Sequence, residues 1–360
     1  MSASITVLNA NRSEWDLGLQ NLKVDSNYNI IINCVYNLDN FDEEMAFLND
    51  PALDKNTLVV FWQPVEKGVD THMFRLAERL RTVPVKSVFL SGGGHKINSN
   101  NYFPKDFNIQ FYPIFDLRSA NMWWSSGGAQ AFDVNREHKF MYLNSKDTAH
   151  RRYIFGKLLE NNLMEQGIVS YNCREGLCNT ELDFHSGVDF TDQQFNECQR
   201  VFDLCTPAMP RVLDGGGFAG NLKRAVWLSA YAGIVGETDF INRGFNTSFV
   251  TEKTFNTIAN NQIPFIVGHA GSLELLRSLG YKSYSDVVDE SYDTIVHNGN
   301  RLEAVAQEIV RFLSRPIEAI QQDYARIQTV IEYNRDLLFS QHSDNNESFN
   351  ARFQKMLDTL

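Results

Sequence analysis

The sequence predicts an α/β protein of two Rossmann-like domains facing a central cleft, with helices closing the chain at its carboxyl end. Three observations carry this expectation. Through the first third, short runs rich in Val, Ile, Phe and Tyr alternate with helical patterns, which implies a mainly parallel sheet with helices on its faces. A second series of strand, loop and helix begins near residue 139 and leads to a helix and strand at 251–268. The 360 residues are enough for two cores of ordinary size. The boundary is expected near Asn135, dividing residues 1–135 from 136–360.

In the first domain, strands are expected at 5–8, 29–36, 57–62, 87–90 and 109–114, with a helix at 73–80. Parallel sheets of this kind bind ligands outside the carboxyl ends of their strands, which singles out the loops at 63–70 and 91–95. Glu66 and Asp70 lie on the first loop; three glycines followed by His95 make up most of the second. The glycines let backbone approach a ligand closely, and Glu66, Asp70 or His95 has the chemistry of a general base. A flexible turn with a solvated histidine is the competing reading. The spacing of a phosphate-binding P-loop is absent. Of the adjacent Trp123 and Trp124, only one can face a given core; the other packs elsewhere, lines a cleft or stacks on a ring.

The second domain opens with a strand at 139–144 and a loop and helix at 145–160. Between Arg136 and Lys157 six Lys or Arg stand against two acids, a local excess of +4 inside a chain of net charge −11. An inversion of that kind favours an anion. The helix start at Asp147 or Thr148 offers free N–H groups, and Arg151 or Arg152 can fork onto phosphate oxygens; a solvated helix face is the alternative. A helix is expected at 192–204, a glycine-rich loop at 213–220, and residues 225–235 entering a buried strand that ends at Gly236, after which the Glu237 carboxylate points into the strand-end crevice as a candidate ligand contact.

Thr251 is expected to cap a helix that begins with Glu252 and Lys253 and turns Phe255, Ile258 and Ala259 to one apolar side. Pro264 stops it, 265–267 form a short buried strand, and Gly268 opens a loop. The unpaired N–H groups of such a start attract anions, and Lys253 adds a full charge for a phosphate. Glu252 beside it suits a sugar, because a carboxylate accepts hydrogen bonds from a ribose diol. Read without a ligand, the two are first-turn charges. Ser272 is expected to cap a helix at 273–279 that Gly280 ends, and amphipathic helices at 301–313 and 317–339 close the fold.

The string Phe-Val-Thr-Glu-Lys-Thr-Phe at 249–255, followed by Ile-Pro-Phe-Ile-Val-Gly at 263–268, resembles the sugar-nucleotide signature of the fucosyltransferase family and related two-domain (GT-B) glycosyltransferases. It is also similar to phage- and virus-encoded glycosyltransferases that pair this signature with an upstream His-Arg helix, here His150 with Arg151 and Arg152. The resemblance covers roughly residues 138–290. It implies that Glu252 holds the donor ribose, that Lys253 and one of Arg151 or Arg152 hold the diphosphate, and that the domains form a GT-B pair. It leaves the acceptor open between a glycan and a hydroxymethylated base in phage DNA.

On this reading the co-substrate is a nucleotide-diphosphate sugar and the first domain supplies the base. No clear Asp-x-Asp donor-metal motif is present, so a metal-independent transfer without a bound cofactor is expected. Cys34, Cys173, Cys178, Cys198 and Cys205 form no Cys-x-x-Cys pair; a zinc site from the last four with His185 fits no common spacing, and free thiols are expected. A sequence pI near 5.2 argues against a broad nucleic-acid face. No stretch approaches the ~18 apolar residues of a membrane span, and the first residues lack a signal-peptide pattern, so cytoplasmic residence, or that of an infected host cell, is expected. A non-catalytic nucleotide-binding or virion structural protein is the alternative function.

Overall fold

The computed structural model describes residues 4–8, 26–34, 41–63, 71–91, 95–97, 109–111, 115–171, 190–205, 222–241, 247–340 and, in the tail, 351, 353–355 and 358. The chain divides into two compact units. One comprises Met1–Asn121, Phe245–Thr247 and Ser340–Leu360; the other comprises Met122–Gly244 and Ser248–Phe339. The division falls within helix α2 (Phe115–Ser125), which follows α1 (Thr71–Leu80).

The first unit is built on a parallel sheet of β1 (Ile5–Leu8), β2 (Asn29–Cys34), β3 (Thr57–Gln63), β4 (Lys86–Ser91) and β6 (Ile109–Phe111), in that spatial order. Leu58, Val59, Val60 and Phe61 of β3 are all buried, which is why this strand reads as a continuous apolar run: both faces of the sheet are covered. Helix α1 buries Leu76 and Leu80, one turn apart, and exposes Arg75 and Arg79. Spatial order follows chain order, so the winding of these strands never reverses. Glu66 and Asp70 lie outside the described residues. His95 opens the short strand β5 (His95–Ile97), and only its backbone is described.

The second unit holds β7 (His138–Asn144), β8 (Gly167–Tyr171), β9 (Ala230–Gly236) and β11 (Ile263–Val267) in the order β11-β9-β7-β8, all parallel. Helix α3 (Ala149–Glu160) connects β7 to β8 and packs on α4 (Asp192–Cys205). After β8 the chain crosses to the other side of β7 and, past the short helix α5 (Arg224–Leu228), adds β9; after β10 (Thr247–Phe249) and α6 (Glu252–Ala259) it adds β11. Direction therefore reverses between β7 and β9. Strands β9 and β11 are buried along their whole length.

Helix α6 lies close against β9. A Cβ at Gly233 would stand 2.6 Å from Thr257 Cγ2 and 2.8 Å from Gln262 Oε1, so glycine sets the distance between helix and strand. Helix α7 (Ser272–Ser278) departs from expectation at its start. Its cap is Gly271 at φ 77°, and the free N–H groups of Leu273 and Glu274 donate to the buried Asp293 carboxylate at 2.9 and 3.1 Å. Ser272 instead donates to the carbonyls of His269 and Phe249 at 2.8 and 2.9 Å. Gly280, at φ 96°, follows the end of the helix.

Helix α8 (Asn298–Leu313) packs on β11, with Phe312 edge-on to Phe265 at 5.2 Å, and Lys139 ties its last turn by donating to the Leu313 carbonyl at 2.8 Å. The expected long closing helix is two, α9 (Ile317–Arg326) and α10 (Gln328–Ser340), separated at Ile327. Trp123 is the buried member of its pair, donating to Asn256 at 2.9 Å and meeting Trp227 edge-on; Trp124 is half exposed beside Phe339. Among the described residues no helix is long and apolar enough to cross a membrane.

Candidate functional site

Reversal of the winding in the second sheet puts a topological switch point between the carboxyl ends of β7 and β9, the place where open α/β sheets take their ligands. Asn144 ends β7, Gly236 and Glu237 end and follow β9, and Gly268 and His269 follow β11. Helices α3 and α6 both start at this edge because each follows a strand that ends there or the loop beyond it. Six of the predicted residues, Arg151, Arg152, Glu237, Thr251, Glu252 and Lys253, gather on these elements.

They divide into two kinds. Glu237 is fully buried, and both carboxylate oxygens are hydrogen-bonded: Oε1 accepts from the Thr251 N–H at 3.0 Å and the Thr254 hydroxyl at 2.7 Å, and Oε2 from the Thr251 hydroxyl at 2.6 Å. Burial raises its pKa; Lys253 and the three donors pull the other way. Arg151 is also buried. Its guanidinium donates to the carbonyls of Gly236 at 3.0 Å, Glu237 at 2.9 Å and Lys146 at 3.3 Å, so it fastens the loop before α3 to the end of β9. Arg152 forms a fork with Asp147, whose carboxylate also accepts from the Tyr171 hydroxyl at 2.7 Å, and lies over the Phe202 ring.

Thr251 caps α6 as expected, accepting from the Lys253 N–H at 3.4 Å. The side chains of Lys253 and Glu252 are partly exposed, at 29% and 27%, although Oε2 of Glu252 is itself buried. The Lys253 ammonium donates to the hydroxyls of Thr251 and Thr238, both at 3.1 Å, and to Glu252 Oε1 at 3.2 Å. A partly exposed ammonium held by two hydroxyls and the Glu252 carboxylate at a helix start has the chemistry to meet an anion.

Two residues of this edge, Arg301 and His269, were not singled out in the sequence, and His150 entered only as part of the His-Arg helix start. Arg301, on α8, is buried and donates to the carbonyls of Gly268, Phe240, Ile295 and Val296 and to Asn298. His150 stacks on Phe240 and meets the Glu237 carbonyl through Nε2 at 2.9 Å, so that nitrogen carries the proton. Burial, reinforced by the Arg151 charge, pushes its pKa down to about 3. His269, also buried, lies 3.4 Å from the half-exposed Asp239 carboxylate. The His-Arg dipeptide was legible as a basic helix start, but nothing in its spacing separates an arginine for ligand from one for backbone carbonyls. Arg301 lies 33 residues from Gly268 and has no local signal.

The fold and this edge define an α/β protein with two parallel sheets, the second of which gathers charged residues at its switch point. No family model matches the chain, and no curated protein matches it in sequence.

Proposed function

We propose that the protein is a glycosyltransferase of GT-B type, moving a sugar from a nucleotide-diphosphate donor to a hydroxyl acceptor, a glycan or a hydroxymethylated base in phage DNA. One observation carries the reading: Lys253, partly exposed in the first turn of α6, stands beside Glu252 at the carboxyl edge where the sheet reverses. In this reading the Lys253 ammonium and the helix start hold the diphosphate and stabilise its departure, and Glu252 accepts from the ribose diol. Arg151, with its guanidinium on three carbonyls, supports the crevice, and Arg152 is held by Asp147. The attacking hydroxyl needs a base from the first domain. Glu66 is favoured because Pro64 stiffens its loop, with His95 and Asp70 as the other candidates.

The test is turnover of nucleotide sugars without an added acceptor, followed by mass spectrometry of the released sugar. Slow hydrolysis that Lys253→Ala reduces by about tenfold or more is the expected result, since the leaving diphosphate loses a charge-assisted bond. Tight nucleotide binding with neither hydrolysis nor transfer would favour the non-catalytic alternative.

A further inference from the structure

Glu237 presents a puzzle that donor binding does not resolve. A carboxylate buried to 0% exposure is costly unless every oxygen is matched, and here the matching groups all belong to one turn of backbone, Thr251 to Thr254. Neither oxygen faces outward to take a sugar or a base. Its interactions run toward Lys253. The Thr251 hydroxyl has one proton and two lone pairs. The proton goes to Glu237 Oε2 at 2.6 Å, so the lone pairs are left to accept from the Lys253 N–H at 3.4 Å and the Lys253 ammonium at 3.1 Å. The polarity of that hydroxyl is thus set from inside the protein. Thr254 is the internal contrast: it donates to Oε1 at 2.7 Å and is equally buried, yet its bond is to Glu237 and not to the lysine.

We infer that Glu237 is a positioning residue for Lys253, acting through the Thr251 hydroxyl, and is not itself a ligand of the nucleotide. A neutral amide at 237 presents an N–H₂ where Thr251 now donates. The hydroxyl must then turn to accept, and one of its two bonds from Lys253 is lost. Chains of hydrogen bonds that end on a charge polarise one another, so the loss falls on the far end, at the ammonium. Gly233 completes the arrangement from the other side of the turn by letting α6 lie against β9. The consequence for nucleotide binding rests on the proposed function; the placement of the lysine does not.

The experiment therefore has two readouts in the full-length protein. One is the rate at which an amine-reactive ester acylates Lys253, followed by peptide mass spectrometry and needing no ligand. The other is the affinity for guanosine and uridine diphosphates. Glu237→Gln and Thr251→Val are expected to raise the acylation rate of Lys253 about fivefold and to weaken nucleotide binding about tenfold, with no further change in the double variant. Thr254→Val, which lowers stability through the same carboxylate, is expected to leave both within about twofold of the parent. If Glu237→Gln fails to fold, the comparison of Thr251→Val with Thr254→Val decides alone. Equal effects of those two variants on Lys253 would overturn the inference, because Glu237 would then only hold the helix together. Acylation that stays at the parental rate in Thr251→Val, while Lys253→Ala weakens nucleotide binding, removes the positioning role and leaves the donor site standing. Raised acylation with nucleotide binding indifferent to Lys253→Ala keeps the positioning role and removes the donor reading.

Discussion

Arg151, Glu237 and Arg301 are among the most deeply buried charges of the second unit, and all three converge on the carboxyl ends of β9 and β11. Buried charges are poor stabilisers compared with apolar packing, so their concentration at one edge marks backbone whose position matters. His150 belongs to the same set and makes a prediction about pH. Its folded pKa, about 3, is below the ordinary 6.5, so the unfolded chain binds the extra proton between those values. The stability it contributes is present above pH ~6.5 and is lost as pH falls from there toward about 3. Urea unfolding between pH 7 and 4 should show the parent losing stability more steeply than His150→Gln, by about one proton in the slope. Equal slopes would mean that His150 is not buried neutral at this edge.

At the scale of elements, the close contact of α6 with β9 governs where Lys253 stands. Gly233→Ala puts a methyl group 2.6 Å from Thr257 Cγ2, and the helix must shift. A loss of about 1–3 kcal/mol is expected in chemical denaturation, the range for overpacking a filled core. Unchanged stability would show that the helix gives way without strain. The elements themselves were largely legible. Apolar runs in β3, β9 and β11 read as strands because both faces of a parallel sheet are covered, and Thr251 and Glu252 open α6 through local chemistry; its end was misplaced, since Asn261 at φ 59° turns the chain out of the helix and Pro264 lies within β11. Capping of α7 was misread, since its real partner, Asp293, lies 20 residues from Leu273 and a local serine looked sufficient. The site was legible in part for the same reason. Lys253 and Glu252 announce themselves by position in a first turn, whereas the tasks of Glu237, Arg151 and Arg301 depend on contacts across 14 to 86 residues that no local pattern encodes.

Taken as a whole molecule, the two sheets differ in winding. Only the second reverses among the described strands, so the switch point belongs to the second unit, and the acceptor and base are assigned to the first on the proposed mechanism. Glu66→Gln is expected to lower transfer by ~100-fold or more with nucleotide affinity retained, the pattern of a lost general base. Normal turnover in that variant together with loss in His95→Ala would exchange the two roles. A chain of net charge −11 is a poor electrostatic partner for DNA, so a glycan acceptor predicts no gel shift of duplex DNA even at low salt, and a shift there would point to a modified base.

The central claim is that the crevice edge bearing Lys253 holds a nucleoside diphosphate. Thermal unfolding of the parent and of Lys253→Ala, each with a panel of nucleoside diphosphates, tests it most directly. A diphosphate at ~100 times its dissociation constant should stabilise the parent by about 2.7 kcal/mol. Lys253→Ala should bind ~10-fold or more weakly and retain about 1.4 kcal/mol of that stabilisation or less at the same concentration. Equal stabilisation of parent and variant by the same nucleotide would contradict the claim, as would a parent that no nucleoside diphosphate stabilises.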